Sequence, residues 1–328
     1  MMKRLLVLAA ALLVLLAAGA MADQAADPLK GKLTWTKVDA RRLRPDGLPY
    51  LFNDASYYAR HETDDMKATV HKLNSMLDKA KDAHPEVTVY TYFIESSRSL
   101  NVRGNVSKES SVCAYVRENL CSDRFDRLKV TSLSDLGRWF WSTDHHWSWK
   151  GSYQGYLDVF ALLGLEGEPA VPTEEKEFPV IFNGSLAKNV KQPISEEKFT
   201  VYLFDGVPNY KTTVNGKRKQ HDGISTYLKG RYASDIYTDH YSAYYGSNPA
   251  EVIYDTGREE LPTLLVITNS FGDPVNELLC LHYGRVISVN LKHYKEQLGT
   301  SFDLNAYIER YGITQVLILG DFSLYFYP

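Results

Sequence analysis

Leu264-Leu265-Val266-Ile267-Thr268, followed by Asn269-Ser270-Phe271-Gly272 and then Asp273-Pro274, sets the fold class. An unbroken apolar run of strand length reads as a strand buried on both faces, because a half-exposed strand would alternate with polar residues. Asp before Pro is an N-cap residue ahead of a first-turn proline. Val275 to His282 therefore continues as an amphipathic helix. The alternation repeats downstream, with a strand at Val286 to Val289, a helix at Phe302 to Tyr311 and a last strand at Thr314 to Leu319. Strand, helix, strand, helix, strand with apolar strands predicts an α/β fold, a mostly parallel sheet covered on both faces.

Upstream the signals are more scattered. Met66, Val70, Leu73, Leu77 and Ala80 share one face of a predicted helix over Asp64 to Ala83. Val87 to Ile94 is β-branched and aromatic, so a strand. Ser111 to Leu120 and Tyr153 to Leu165 read as helices, the second closed by Gly167 and Pro169. Leu128 to Val130, Pro179 to Phe182 and Phe199 to Phe204 read as strands. The Lys-rich stretch between Asn209 and Asp222 reads as a solvated hairpin or loop. No linker or repeat divides the chain. The reading is one α/β domain over 61–328, preceded by an irregular arm over 23–60 with breaks at Pro28, Pro45 and Pro49.

The first 22 residues read as a secretory signal: Lys3 and Arg4, then the apolar run Leu5 to Ala18, then Ala20-Met21-Ala22. That run is short for a membrane span. Its removal takes two positive charges from a chain whose net charge is already −3. Such a balance argues against a nucleic-acid partner, which needs a basic surface. Secretion permits disulfides. Cys113 and Cys121 are close enough in sequence to bridge locally, and Cys280 reads as a small core residue.

Two places carry chemistry. In Thr143-Asp144-His145-His146-Trp147, an extended backbone would turn Asp144 and His146 to one side. A carboxylate can then hold the imidazole Nδ1–H and leave Nε2 as a base. Ser270 sits in the turn after a buried strand and before a capped helix. That turn exposes its side chain and aims backbone N–H groups and the helix N-terminus at a forming oxyanion. Ser270, His146 and Asp144 thus make a candidate nucleophile, base and orienting acid. Ser323, in Gly320-Asp321-Phe322-Ser323, is a competing serine, but too few residues follow it to form a helix. Thr238-Asp239-His240-Tyr241 echoes the first block and reads as a surface turn. Asp144, His145, His146, Asp239 and His240 are acceptable metal ligands, but no second D-x-H or H-x-x-x-H supports a metal site.

Trp139, Trp141, Trp147 and Trp149, four of the five tryptophans, surround Asp144 and His146 in sequence. Flat aromatic faces stack on sugar rings. At least one ring of the cluster is therefore expected to line a polysaccharide cleft, with Trp141, Trp147 and Trp149 as the candidates, the alternative for any single one being a place in the core.

The T-D-H-H-W block, with Gly151 and Tyr156 after it, resembles the hallmark of the bacterial DHHW protein family. That family is similar to the periplasmic alginate O-acetyltransferase proteins, whose folds are SGNH-hydrolase-like. The resemblance runs from about Val87 to the end of the chain. It implies a three-layer α/β fold with Asp144, His146 and Ser270 as acid, base and nucleophile. The serine comes last, as in the circularly permuted alginate-type members, rather than first as in ordinary SGNH enzymes. Asn269 stands where the family pattern commonly has Asp, and Lys292 where Arg is common. No unambiguous oxyanion Gly and Asn pair of the ordinary type is found, which leaves the Ser270 amide and the Asn248 side chain as candidate donors, the alternative for Asn248 being a plain Asn-Pro turn with Pro249. The implied activity is that of a secreted or cell-envelope serine acyltransferase or esterase acting on acetyl esters of an extracytoplasmic polysaccharide. It needs no cofactor, and as a transferase it implies a membrane partner that delivers acetyl groups. The alternative is a noncatalytic glycan-binding or envelope-assembly protein on the same fold.

Overall fold

The computed structural model describes residues 40–43, 49–52, 62–102, 105–186, 197–220, 240–246 and 248–326. The expected signal over 1–22, most of the arm and Asp239 lie outside the described residues. Within the arm, β1 (Ala40–Leu43) pairs antiparallel with β2 (Pro49–Phe52). Then come α1 (Asp64–Ala83), β3 (Thr88–Ile94), α2 (Ser111–Asn119), β4 (Arg124–Arg127), α3 (Leu133–Trp139) and α4 (Trp149–Leu163). The middle of the chain holds β5 (Glu174–Ile181), β6 (Lys198–Leu203), β7 (Lys211–Val214), β8 (Lys217–Gln220), α5 (His240–Tyr245) and β9 (Glu251–Asp255). The C-terminal third holds β10 (Thr263–Thr268), α6 (Asp273–Leu279), β11 (Arg285–Val289), α7 (Leu291–Leu298), α8 (Leu304–Tyr311), β12 (Gln315–Asp321) and a 3₁₀ turn over Phe322–Phe326.

Eight strands form the main sheet in the order β4-β3-β12-β10-β11-β9-β7-β8. The first five are mutually parallel, and β9, β7 and β8 extend the sheet antiparallel. β5 and β6 form a separate antiparallel pair. Strand period two divides the core between the faces of the sheet. Leu264 and Val266 pack with Tyr156, Val159 and Leu278 on one face, and Leu265 and Ile267 pack with Met66, Leu73 and Ile308 on the other. Each fully buried Leu or Ile here is worth roughly 1.5–3 kcal/mol relative to leaving it exposed. This is the three-layer, mostly parallel α/β architecture that the C-terminal alternation predicts.

Local chemistry sets the element ends. Thr63, Ser110, Ser132 and Ser148 each cap a helix by accepting a backbone N–H of its first turn. α4 stops at Gly164, whose left-handed φ of 67° closes the helix earlier than Gly167 and Pro169 would. The fourth strand lies at Arg124–Arg127 and not at Leu128 to Val130. Leu128 and Val130 are buried, but in the core beyond the strand end. The Lys-rich stretch is the β7–β8 hairpin. Cys113, Cys121 and Cys280 are all free. Cys113 lies early in α2 and Cys121 beyond its end, and eight residues of helical rise separate two positions by about 12 Å. A bridge needs α-carbons within about 7 Å.

Candidate active site

Ser270 lies just beyond β10 at the C-terminal end of the parallel strands, where sites collect in open α/β sheets. Asp144 and His146 arrive from the loop between α3 and α4. That loop is bent, not extended, and a bridge between Phe140 and Trp147 pins its ends. The expected sharing of one face by strand alternation is therefore corrected. Asp144 Oδ1 accepts both the His146 backbone N–H at 2.9 Å and Nδ1–H at 2.6 Å, so the carboxylate itself turns the chain. α4 clamps the loop from below. A Cβ at Gly151 would overlap the Trp139 carbonyl, and one at Gly155 would overlap the Trp147 ring. The buried Tyr156 hydroxyl bridges His282 Nε2 and the Ala170 amide.

His146 Nε2 lies 2.7 Å from Ser270 Oγ. The three residues expected as acid, base and nucleophile are thus joined in a continuous hydrogen-bonded line across two separate loops. Asp144 Oδ2 also accepts the Ser185 N–H at 2.7 Å, and the Asp144 side chain leaves no room for a Cβ at Gly184. Burial alone would raise the Asp144 carboxyl. His145, His146 and the hydrogen bonds from His146 and Ser185 outweigh it and hold the group well below the usual carboxylate range. The orienting group is therefore ionised at neutral pH.

Sequence reasoning missed the residues that position His146. Tyr241 stacks on its ring with centroids 3.8 Å apart and planes 6° apart. The Tyr241 hydroxyl donates to the Ser270 carbonyl at 2.9 Å. Phe271 closes another side of the His146 ring. The surface turn expected at His240 and Tyr241 is corrected, since both are buried at the start of α5. An aromatic residue supplied from a helix distant in sequence leaves no local pattern, so only the spatial contact identifies it.

Two of the expected substrate-facing tryptophans are core residues. Trp147 is fully buried against Phe271 and Gly155, and Trp141 is packed among Trp149, Phe182 and Phe199. Neither ring has a face left for a sugar. Trp149 is half-buried and borders a separate small aromatic pocket with Tyr153, Tyr202 and Tyr245, not the cleft at Ser270.

That cleft has a volume of about 210 Å³ and is lined by Ser270, His145, Arg98, Asn248, Lys292 and Ser323, among others. Asn248 thus borders the cleft as expected of a donor, in a left-handed conformation (φ 41°). The Phe271 N–H is engaged by Asn269 Oδ1 at 3.2 Å and the Gly272 N–H by the Asn269 carbonyl at 2.9 Å. Among the described residues the Ser270 N–H has no acceptor. This narrows the amides expected to point at an oxyanion to that one. Asn269 also donates to Asp321 and Ser323, tying the ends of β10 and β12 together. Asp144, His145 and His146 present ligand atoms within 4.8 Å of one another, a set able to hold a metal ion. Most of those atoms already have hydrogen-bond partners: both Asp144 oxygens, both His146 nitrogens and His145 Nδ1. His240 packs against Phe182 and Phe199 instead. No helix among the described residues is long and apolar enough to cross a membrane.

No protein-family model matches the chain, and no curated protein is a significant match. Solved structures do match. Bacillus cereus PatB1, in a structure with a sulfonyl adduct, superposes with a TM-score of 0.65 at 17% identity, over 86% of this chain and 95% of that one. A DHHW family protein from Eubacterium siraeum gives 0.65 at 14% identity, over 90% and 94%. The O-acetyltransferase domain of Pseudomonas putida AlgJ is more distant, at 0.44 and 11% identity over 87% and 91%. The chain therefore has the α/β fold of PatB1 and of a DHHW family protein, and the likeness at these identities is one of fold.

Proposed function

We propose that the protein is a serine-dependent acyl-ester enzyme, an O-acetyltransferase or acetylesterase acting on a polysaccharide outside the cytoplasm. The observation that carries the reading is the line Asp144–His146–Ser270, with hydrogen bonds of 2.6 and 2.7 Å. His146 Nε2 takes the Ser270 Oγ proton as Oγ bonds to the acyl carbon. Asp144 holds Nδ1–H and stabilises the charge that develops on the ring. The Ser270 N–H donates to the tetrahedral oxyanion. The leaving alcohol departs with the proton from His146, and the acetyl group remains on Ser270. A sugar hydroxyl or water then attacks the acyl carbon and gives its proton to His146, which passes it to Oγ as the bond from the acyl carbon to Oγ breaks. No step calls for a cofactor.

The sulfonyl adduct in the PatB1 structure supports this reading, since sulfonylating reagents report activated nucleophiles. The segment from Lys3 to Ala22 supports export, and a transferase outside the cytoplasm would take acetyl groups from a membrane partner. The noncatalytic glycan-binding alternative drew on the tryptophan cluster, and the burial of Trp141 and Trp147 weakens it to Trp149, at a pocket separate from the cleft. The test is labelling with phenylmethylsulfonyl fluoride, read by mass spectrometry, beside a burst assay with 4-nitrophenyl acetate. A single adduct on Ser270, lost in His146→Ala, is the expected result. An unlabelled wild type without a burst overturns the reading.

A further inference from the structure

His145 and His146 are adjacent in sequence and stacked in space, with ring centroids 3.9 Å apart. They do different things. His146 is buried under Tyr241 and commits its two nitrogens to Asp144 and Ser270. His145 is half-buried and lines the cleft together with Ser270. Its Nδ1 lies 2.7 Å from Ser185 Oγ and 3.6 Å from Asp144 Oδ1. The nearby carboxylate favours a proton on Nδ1, so Nδ1–H donates to Ser185 Oγ. Nε2 is then a bare acceptor on the opposite edge of the ring, with no partner among the described residues.

Resting on the acyl-enzyme reading above, we infer that His145 binds the acceptor: Nε2 takes a hydrogen bond from one hydroxyl of the incoming sugar and so presents a neighbouring hydroxyl to the acyl carbon on Ser270. In the transfer step the presented hydroxyl gives its proton to His146 Nε2 while its oxygen bonds to the acyl carbon. The bond from that carbon to Ser270 Oγ breaks, and His146 returns the proton to Oγ. His145 exchanges no proton in this scheme. Packing around the ring, aided by His146 and the Arg98 guanidinium, lowers its pKa well below the usual imidazole value. It is therefore neutral at pH 7, as an acceptor must be. Water has no second hydroxyl to be held while the first attacks. His145 thus favours transfer to a diol over hydrolysis.

The experiment uses 4-nitrophenyl acetate as donor and methyl β-glucoside as acceptor, and counts acetylated glucoside and free acetate in one reaction. The transfer-to-hydrolysis ratio is read within each variant, so it is independent of how fast that variant acylates. His145→Phe keeps a ring stacked on His146 and removes Nε2; the ratio is expected to fall about tenfold, the worth of one hydrogen bond. His145→Gln returns an acceptor oxygen and should recover part of the loss. An unchanged ratio in His145→Phe overturns the inference, since the ring would then only support His146. A wild type that forms the acyl-enzyme but passes acetyl to water alone also overturns it. A wild type that forms no acyl-enzyme removes the parent reading, and this inference with it.

Discussion

Ser270 and Ser323 stand two residues beyond the ends of neighbouring strands, β10 and β12, and both line the same cleft. Their partners differ. Ser270 Oγ meets an imidazole nitrogen brought in by another loop. Ser323 Oγ donates to Asp321 Oδ1 at 2.6 Å and accepts from Asn269 Nδ2 at 3.1 Å. Asp321 is fully buried and pairs with Arg98 at 2.6 Å, so its lone pairs are already spent. A strand end exposes a serine, but only a base delivered from elsewhere in the chain prepares it for attack. Ser270 has an imidazole nitrogen at hydrogen-bond distance, as the proposed mechanism requires, and Ser323 is held as a cross-link between the ends of β10 and β12.

The sharpest way to break this comparison is to truncate both serines. Ser270→Ala and His146→Ala should each lower kcat/KM for a chromogenic acetyl ester by about 10³–10⁴-fold, with similar losses because the pair acts as a unit. Ser323→Ala should cost less than about tenfold. Equal losses at the two serines would erase the distinction. Asp321→Ala attacks the structural side. It leaves the Arg98 guanidinium, 20% exposed, without its buried partner. The expected cost is about 3 kcal/mol of stability, at the low end for a broken buried pair because Arg98 keeps some water. Urea denaturation would measure it.

Gly184→Ala tests whether the carboxylate behind His146 must sit where it does. A Cβ there would overlap the Asp144 side chain, and among the described residues no glycine is packed in this way against Asp321. Displacing Asp144 loosens the hold on Nδ1–H. The expected result is a loss of about thirtyfold in kcat, roughly 2 kcal/mol, with circular dichroism unchanged. Full activity in a folded variant would show that Asp144 is dispensable.

The two serines also differ in how legible their surroundings are in the sequence. The apolar runs of β10, β11 and β12 and the Asp273-Pro274 pair are local signals, and they locate Ser270 at a strand end, although the expected cap is corrected: Gly272 is the N-cap residue, and Asp273 is the first residue of α6 with no side-chain cap on it. Asp144 and His146 pair in the sequence only through an assumed extended backbone. The pairing holds because a carboxylate caps a backbone amide two residues on, which the same spacing permits in a bend. Pattern does not reach residues whose role depends on distant contacts. Tyr241 gains its position from α5, and Asn269 joins two strands 52 residues apart. The tryptophans mislead for the opposite reason. Clustering in sequence says nothing about which way a ring faces, and large rings beside a pinned loop fill the space beneath it. β9 alternates weakly, and α7 carries its helical period in only three residues, Leu291, Tyr294 and Leu298, over a span of eight.

The smallest effect concerns the chain beyond each serine. Ser323 lies within a single 3₁₀ turn, whereas after Ser270 runs α6, which carries Asp273 and Glu277. Burial raises both carboxyls, and it pushes Glu277 up to about 7, against the hydrogen bond from Tyr210. An acid whose pKa is higher in the folded state binds more protons folded than unfolded between about 4.5 and 7. Its contribution to stability is therefore complete below the unfolded value and is lost as pH rises through 7. At about 1.4 kcal/mol per unit the span amounts to roughly 3 kcal/mol at most. Glu277→Gln removes the titration but buries an amide in its place, a pH-independent cost of about 2 kcal/mol, so the variant should be about 1 kcal/mol more stable than wild type at pH 8 and about 2 kcal/mol less stable toward pH 4.5. The difference between variant and wild-type denaturation curves at the two pH values isolates this one group. A difference that does not change with pH would mean that Glu277 stays ionised inside the fold, and that α6 bears no pH-dependent cost beyond that of the turn holding Ser323.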